Sequence, residues 1–142
     1  ALAAQPADAR AVPTDAASAI GALDAGGDYK APLEGARRAL DDGDYDRALA
    51  LADESLAVRR SARGYVVRAD ALRRLGRVDL AVQAADAAIK ANASYAPAWD
   101  LKGKILWSAR RYDEARPAYE RFLQLQPTGE AADTVRALLG SK

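Results

Sequence analysis

The residues able to do chemistry in this 142-residue chain are acids, arginines and hydroxyls, because Cys and His are both absent. That absence removes thiol nucleophiles, imidazole bases, disulfides and the usual zinc ligands together. Ser18, Ser55, Ser61, Ser94, Ser108 and Ser141 therefore have no imidazole to activate them. Asp and Glu are plentiful, but no pair stands in the pocket-like apolar setting that drives two carboxyl pKa values apart. Asp42, Asp44, Asp46 and Asp53 occupy relative positions 1, 3, 5 and 12, the spacing of a calcium loop. Position 6 of such a loop requires Gly, yet Arg47 stands there and a helix begins across it. The acidic run instead reads as a turn leading into a helix whose first turn favours negative charge. No Gly-rich phosphate loop exists, and Gly26-Gly27 reads as a break. The triplet Asn92-Ala93-Ser94 has the glycosylation pattern, which is common by chance and carries no weight. Arg59-Arg60, Arg73-Arg74 and Arg110-Arg111 are each offset by nearby Asp and lack an interleaved aromatic series, so no nucleic-acid surface is expected. The expectation is a chain with no catalytic residues, no cofactor and no metal.

Composition points the same way. Twenty-one basic and 20 acidic residues leave a net charge of +1, too little to attract nucleic acid or an anionic membrane as a whole. No stretch reaches the roughly 18–20 apolar residues of a membrane span, and no charged-then-apolar signal peptide is visible. Ala supplies 36 of 142 residues, and the Ala- and Arg-heavy usage suggests a GC-rich bacterial gene. The chain opens on Ala1 rather than Met, which leads us to expect a processed or trimmed protein or a fragment. An Ala/Pro-rich arm suits a module tethered away from a membrane, so the bacterial envelope or periplasm is expected ahead of the cytoplasm.

The elements that must position these groups are helices. Residues 1–27 hold few large apolar groups, and Pro6 and Pro13 interrupt any early helix, so this part is expected to be a flexible arm. Within it, Ala16, Ala19, Ile20 and Leu23 share a face of a short helix over 14–25, ended by Gly26-Gly27. From residue 28 to 142 the periodicity is helical throughout, with no alternating β-type pattern. The expected helices are 30–41, 45–58, 62–75, 79–91, 96–109, 113–125 and 130–139, joined by links short enough to make neighbours antiparallel. The fold class is therefore all-α.

The chain repeats itself with a period near 34. Gly43-Asp44-Tyr45-Asp46-Arg47-Ala48 aligns with Gly76-Arg77-Val78-Asp79-Leu80-Ala81 and then with Arg110-Arg111-Tyr112-Asp113-Glu114-Ala115. Tyr65 pairs with Trp99. Ala36, Ala69 and Gly103 form one row of small residues, Ala48, Ala81 and Ala115 another, and Leu56, Ile89 and Leu123 an apolar row. On these residues the chain resembles the tetratricopeptide repeat (TPR) family, with repeats over 29–61, 62–95 and 96–127, about 99 of 142 residues. The third repeat carries the pattern best, through Trp99, Gly103, Tyr112, Ala115, Tyr119 and Pro127. Pro32, Lys102 and Phe122 depart from it.

The resemblance implies a right-handed superhelical solenoid of three helix hairpins. The small rows let paired helices approach closely, and Pro32, Pro97 and Pro117 are expected near first turns, where a missing N–H does least harm. Helix 130–139 is expected to cap the open end, burying Val135, Leu138 and Leu139 while Glu130, Asp133 and Arg136 face water. Phe122 is expected to fill space beneath this cap.

The resemblance also implies a concave groove lined by the first helix of each hairpin. Its positions are Lys30, Leu33, Glu34, Arg37 and Asp41, then Arg63, Val66, Val67, Asp70, Arg73 and Arg74, then Asp100, Leu101, Lys104 and Trp107. Trp107 beside Lys104 and Arg73 has the composition of a binding hot spot, against the plainer reading that it packs on a neighbouring helix. Val67 in place of Asn, with Asp70 adding a repelling charge, argues against the chaperone-type carboxylate clamp of some relatives. Arginine still favours an acidic or amphipathic protein or peptide segment as partner. The leading expectation is a non-enzymatic adaptor that holds such a segment in its groove. The alternatives are a self-associating structural protein, with the 14–25 segment or the end faces making a homo-oligomer, and the tail of a larger bacterial signalling enzyme.

Overall fold

In the computed structural model, residues 27–141 are described, and they form seven helices and no strand. The helices are α1 (Lys30–Asp41), α2 (Tyr45–Val58), α3 (Ala62–Arg74), α4 (Val78–Ala91), α5 (Ala96–Ser108), α6 (Tyr112–Leu125) and α7 (Glu130–Gly140). Each lies within a residue of its sequence expectation at both ends. The arm expected over 1–27, with its helix at 14–25, lies outside the described residues but for Gly27.

Local chemistry explains the starts and stops. The Asp44 carboxylate accepts a hydrogen bond from the Arg47 backbone N–H at 3.3 Å, capping α2, so the acidic run of the calcium-like spacing is consumed in starting a helix. The Ser61 hydroxyl accepts from Gly64 N–H at 3.0 Å and caps α3. Inside each hairpin the first helix ends in the same way. Asp44, Arg77 and Arg111 donate their N–H groups back to Ala39, Leu72 and Leu106, at 2.8, 2.9 and 2.9 Å. The residue just before each donor must take a left-handed conformation. Gly43 and Gly76 do so at φ 80°, and Arg110 does so at φ 64° without the freedom of glycine.

Consecutive helices pack along the whole series α1 to α7. In addition α1 touches α3, and α3 touches α5, whereas no comparable pairing joins α2 to α4 or α4 to α6 among the described residues. The first helices are thus crowded together on one side and the second helices fan out on the other, which curves the stack.

Small residues permit the close approaches. Ala36, Ala69, Ala48, Ala81 and Ala115 have no exposed surface at all, and Gly103 is buried. Around them lie Leu33 and Val67 in the first layer, Leu72, Leu101 and Ile105 in the middle, and Tyr119 and Phe122 in the last. Buried Ser55 is satisfied, its hydroxyl donating to the Tyr29 carbonyl at 2.7 Å. At the end of the stack α7 buries Ala132 and Val135 against Tyr119 and Phe122, with Leu138 and Leu139 partly covered. Phe122 lies beneath this cap as expected, and Glu130, Asp133 and Arg136 are exposed. Pro117 corrects the sequence reading, for it stands inside α6 as its sixth residue and not at the first turn. Its missing N–H falls opposite the Asp113 carbonyl at the exposed start of the helix, where water can replace the lost bond.

Candidate functional site

The groove side of the stack carries two adjoining hollows. The larger, of about 670 Å³, lies among α1, the turn after it, the start of α2, α3, and the entry to α5. Arg37, Val66, Val67, Asp70 and Arg74 line it, together with Leu40, Asp41, Asp42, Tyr45, Tyr95 and Pro97. The smaller, of about 510 Å³, is lined by Tyr29, Lys30, Leu33, Glu34, Arg37 and Arg63. Arg37 borders both, so the two form one continuous surface along α1 and α3.

Most positions expected in the first two repeats therefore gather at the hollows, with unequal access. Lys30, Glu34, Arg37, Asp41, Arg63 and Arg74 are exposed, and Val66 and Asp70 are half-buried. Leu33 and Val67 are buried and form floor rather than rim. The positions expected in the third repeat behave differently. Asp100, Leu101, Lys104 and Trp107, with Arg73 of the second, line neither hollow, and Leu101 belongs to the middle core layer.

Trp107 packs within its own hairpin, the plainer of the two readings its sequence position allowed. Its ring meets Tyr112 edge-on at 4.7 Å between centroids and lies 6.0 Å from Tyr119, so it is half-buried against its own hairpin partner. Its two cationic neighbours are also engaged. Arg73 donates to Asp70 at 2.8 Å, and Lys104 pairs with Asp100 at 3.4 Å. Nearby, the Tyr119 phenol is pushed up to about 12 by burial and by the Asp100 charge, against the opposing pull of Arg73.

The electrostatics of the larger hollow centre on Asp70, which takes Arg73 at 2.8 Å and Arg74 at 3.6 Å. Arg74 also donates to the Tyr45 hydroxyl at 3.1 Å and stacks over that ring at 5.5 Å from its centre. The bond to Tyr45, and then the Asp70 charge, raise the Arg74 pKa above its already high ordinary value. By contrast Lys30, Arg37 and Arg63 form no ion pair among the described residues.

Sequence reasoning missed Leu40, Asp42, Tyr45, Tyr95 and Pro97. Pro97 was within reach, because it stands at the repeat position of Lys30 and Arg63. Tyr45 was not, since it belongs to a second helix and enters the hollow through Arg74. No cluster of His, Cys, Asp and Glu among the described residues is arranged to hold a metal ion. No described helix is long and apolar enough to cross a membrane.

A curved stack of helix hairpins, with one helix of each pair walling a hollow, defines a helical-repeat module for protein interaction. Residues 33–97 and 96–128 match tetratricopeptide repeat models, and the chain belongs to that family, whose domains are generally non-catalytic interaction modules. Comparison with curated proteins finds no match. Several solved structures share the fold. The TPR domain of Arabidopsis OM64 has a TM-score of 0.75 at 22% identity, covering 85% of this chain and 98% of that one. The second TPR domain of human RPAP3, solved in complex with the HSP70 peptide SGPTIEEVD, has a TM-score of 0.70 at 22% identity, covering 78% and 93%. The Yersinia enterocolitica type III secretion translocator chaperone SycD has a TM-score of 0.75 at 13% identity, covering 80% and 89%.

Proposed function

We propose that this chain is an adaptor without chemistry of its own, which holds an extended protein or peptide segment in the groove walled by α1, α3 and the start of α5. The observation that carries this reading is the hollow of about 670 Å³ in which Leu40, Val66, Val67, Tyr95 and Pro97 line the wall among charged side chains. Apolar lining residues supply affinity by burial, and the charged ones fix orientation. The walls are helices held by a packed core, so little ordering entropy is lost on the protein's side when a flexible segment docks. The complex of the RPAP3 domain with a peptide supports the reading as an analogy of fold. A bacterial envelope location belongs to the same proposal, and fractionation of the native host checks it.

The test starts from a library of short random peptides displayed against the full chain. Recovered peptides are titrated into isotopically labelled protein, and amide shifts are followed by NMR. Shifts centred on Arg37, Val66 and Tyr95 are expected. Shifts confined to the outer helices α2, α4 and α6, or no recovered peptide, overturn the groove as the binding surface.

A further inference from the structure

Resting on the groove as the binding surface, we infer that it is electrically polarised and selects a bipolar segment, with carboxylates at one end and a basic side chain about five residues away. Three exposed cations from two neighbouring helices, Lys30 and Arg37 of α1 and Arg63 of α3, surround the smaller hollow. None of them is held in an ion pair among the described residues, and Glu34 is the one carboxylate in that lining. At the far end of α1 the sign reverses. Asp41 and Asp42 are exposed, line the larger hollow and likewise lack an ion pair among the described residues.

Of the other charges that line the larger hollow, Arg37 is shared with the smaller hollow, and Asp70 and Arg74 are engaged with each other. Asp70 is taken by Arg73 and Arg74, and Arg74 is further tied to Tyr45. What remains free is three cations against Glu34 at one end and Asp41 with Asp42 at the other, so one surface carries a net positive end and a negative end. At the helical rise per residue, Lys30 and Asp41 stand roughly 16 Å apart along α1, a span that about five residues of extended chain bridge.

A wholly acidic segment gains at Lys30, Arg37 and Arg63 but is repelled at Asp41 and Asp42. A wholly basic one meets the reverse. Only a segment carrying both signs in the right order satisfies both ends, and a segment laid in the opposite direction meets like charge twice. The groove thus sets the direction of its ligand as well as its composition. Between the ends, Leu40 and Val66 face the middle of the segment with apolar surface.

The experiment uses the peptides recovered on the full chain, labelled with a fluorophore and titrated by anisotropy. Their targets are the wild type, Lys30→Glu/Arg63→Glu, Asp41→Lys/Asp42→Lys, and the fourfold combination. All four positions are exposed, and circular dichroism checks that each variant keeps its helices. Recovered peptides are expected to share an acidic end and a basic residue at the stated spacing. Each double reversal is expected to weaken them by roughly tenfold or more, and the fourfold variant is expected to prefer the same peptide with its charges exchanged. Peptides that shift the amides of Val66 and Tyr95 but show no charge pattern, with changes under roughly twofold, overturn the polarity and leave the groove reading standing. Peptides that shift no groove amide overturn both. A concentration-dependent dimer that Lys30→Glu/Arg63→Glu abolishes, seen by sedimentation, gives the site to a second copy of the chain and also overturns the bipolar segment.

Discussion

Gly103 lies directly against the ring of Tyr119. A Cβ built on the glycine comes within 2.5 Å of two ring carbons and 2.8 Å of a third, so helices α5 and α6 meet at a distance that only glycine allows. Ala36 and Ala69 hold the equivalent positions in the earlier hairpins, where no buried aromatic ring presses on them.

Gly103→Ala is therefore expected to destabilise the protein by about 1–3 kcal/mol through overpacking, even though alanine in a helix otherwise gains about 1 kcal/mol over glycine. Urea unfolding followed by circular dichroism measures it. In a Tyr119→Leu background, which removes the ring, the penalty should shrink or change sign. An unchanged penalty would show that the ring is not the cause.

Tyr119 also makes stability depend on alkaline pH. Its phenol is held up at about 12, mainly by burial, against about 10 in an unfolded chain. The folded state thus binds the proton more tightly, so this contribution is complete below the unfolded value and is lost as pH rises from about 10 to about 12. It amounts to roughly 2–3 kcal/mol. Tyr119→Phe should unfold with a flatter pH dependence across that window than the wild type, and parallel curves for the two would contradict the assignment.

Arg110 occupies a left-handed backbone position at φ 64° where the two preceding hairpins have Gly43 and Gly76. Arg110→Gly removes that strain and is expected to stabilise by about 1 kcal/mol. The opposite change, Gly76→Arg, should cost a similar amount. Thermal unfolding of the two variants decides it, and a destabilised Arg110→Gly would mean that the arginine side chain contributes more than its backbone costs.

The cap should be energetically coupled to the third hairpin. Phe122 is buried among Tyr119, Ala132 and Val135, so Phe122→Ala is expected to cost about 3–5 kcal/mol. Hydrogen exchange should speed up first in α7. If α7 amides exchange at the wild-type rate, the cap is held by something other than this ring.

Ala81 has no exposed surface and packs in the middle core layer. Ala81→Leu is expected to overpack it by about 1–3 kcal/mol. Ala50, exposed on α2, serves as the comparison, since Ala50→Leu should change stability by less than about 0.5 kcal/mol.

Helix positions were legible because caps and turns are short-range, and the hairpin period and the rows of small residues because the same pattern returns about every 34 residues. Capping at Asp44 and Ser61 and the turns at Gly43 and Gly76 follow from residues within a few positions of one another, whereas the burial of Ala36, Ala48, Ala69 and Ala81 comes from packing against other helices. The groove was legible only by half. Lys30, Arg37, Arg63 and Val66 line the hollows with accessible side chains, Leu33 and Val67 line them while buried, and Leu101 lies in the core away from both. An apolar residue at a rim position and one at a floor position look alike in sequence, since they differ by a fraction of a helical turn.

The sequence by itself determined that this chain is a stack of helix hairpins built without Cys or His. Tertiary structure decided which charges of the groove side are free and which are already satisfied. Trp107 is claimed by Tyr112 and Tyr119, and Arg74 by Tyr45, 29 residues away. Periodicity fixes the face on which a side chain starts. Its partner is chosen by how helices distant along the chain are brought together, and that distance is closed only when the core packs.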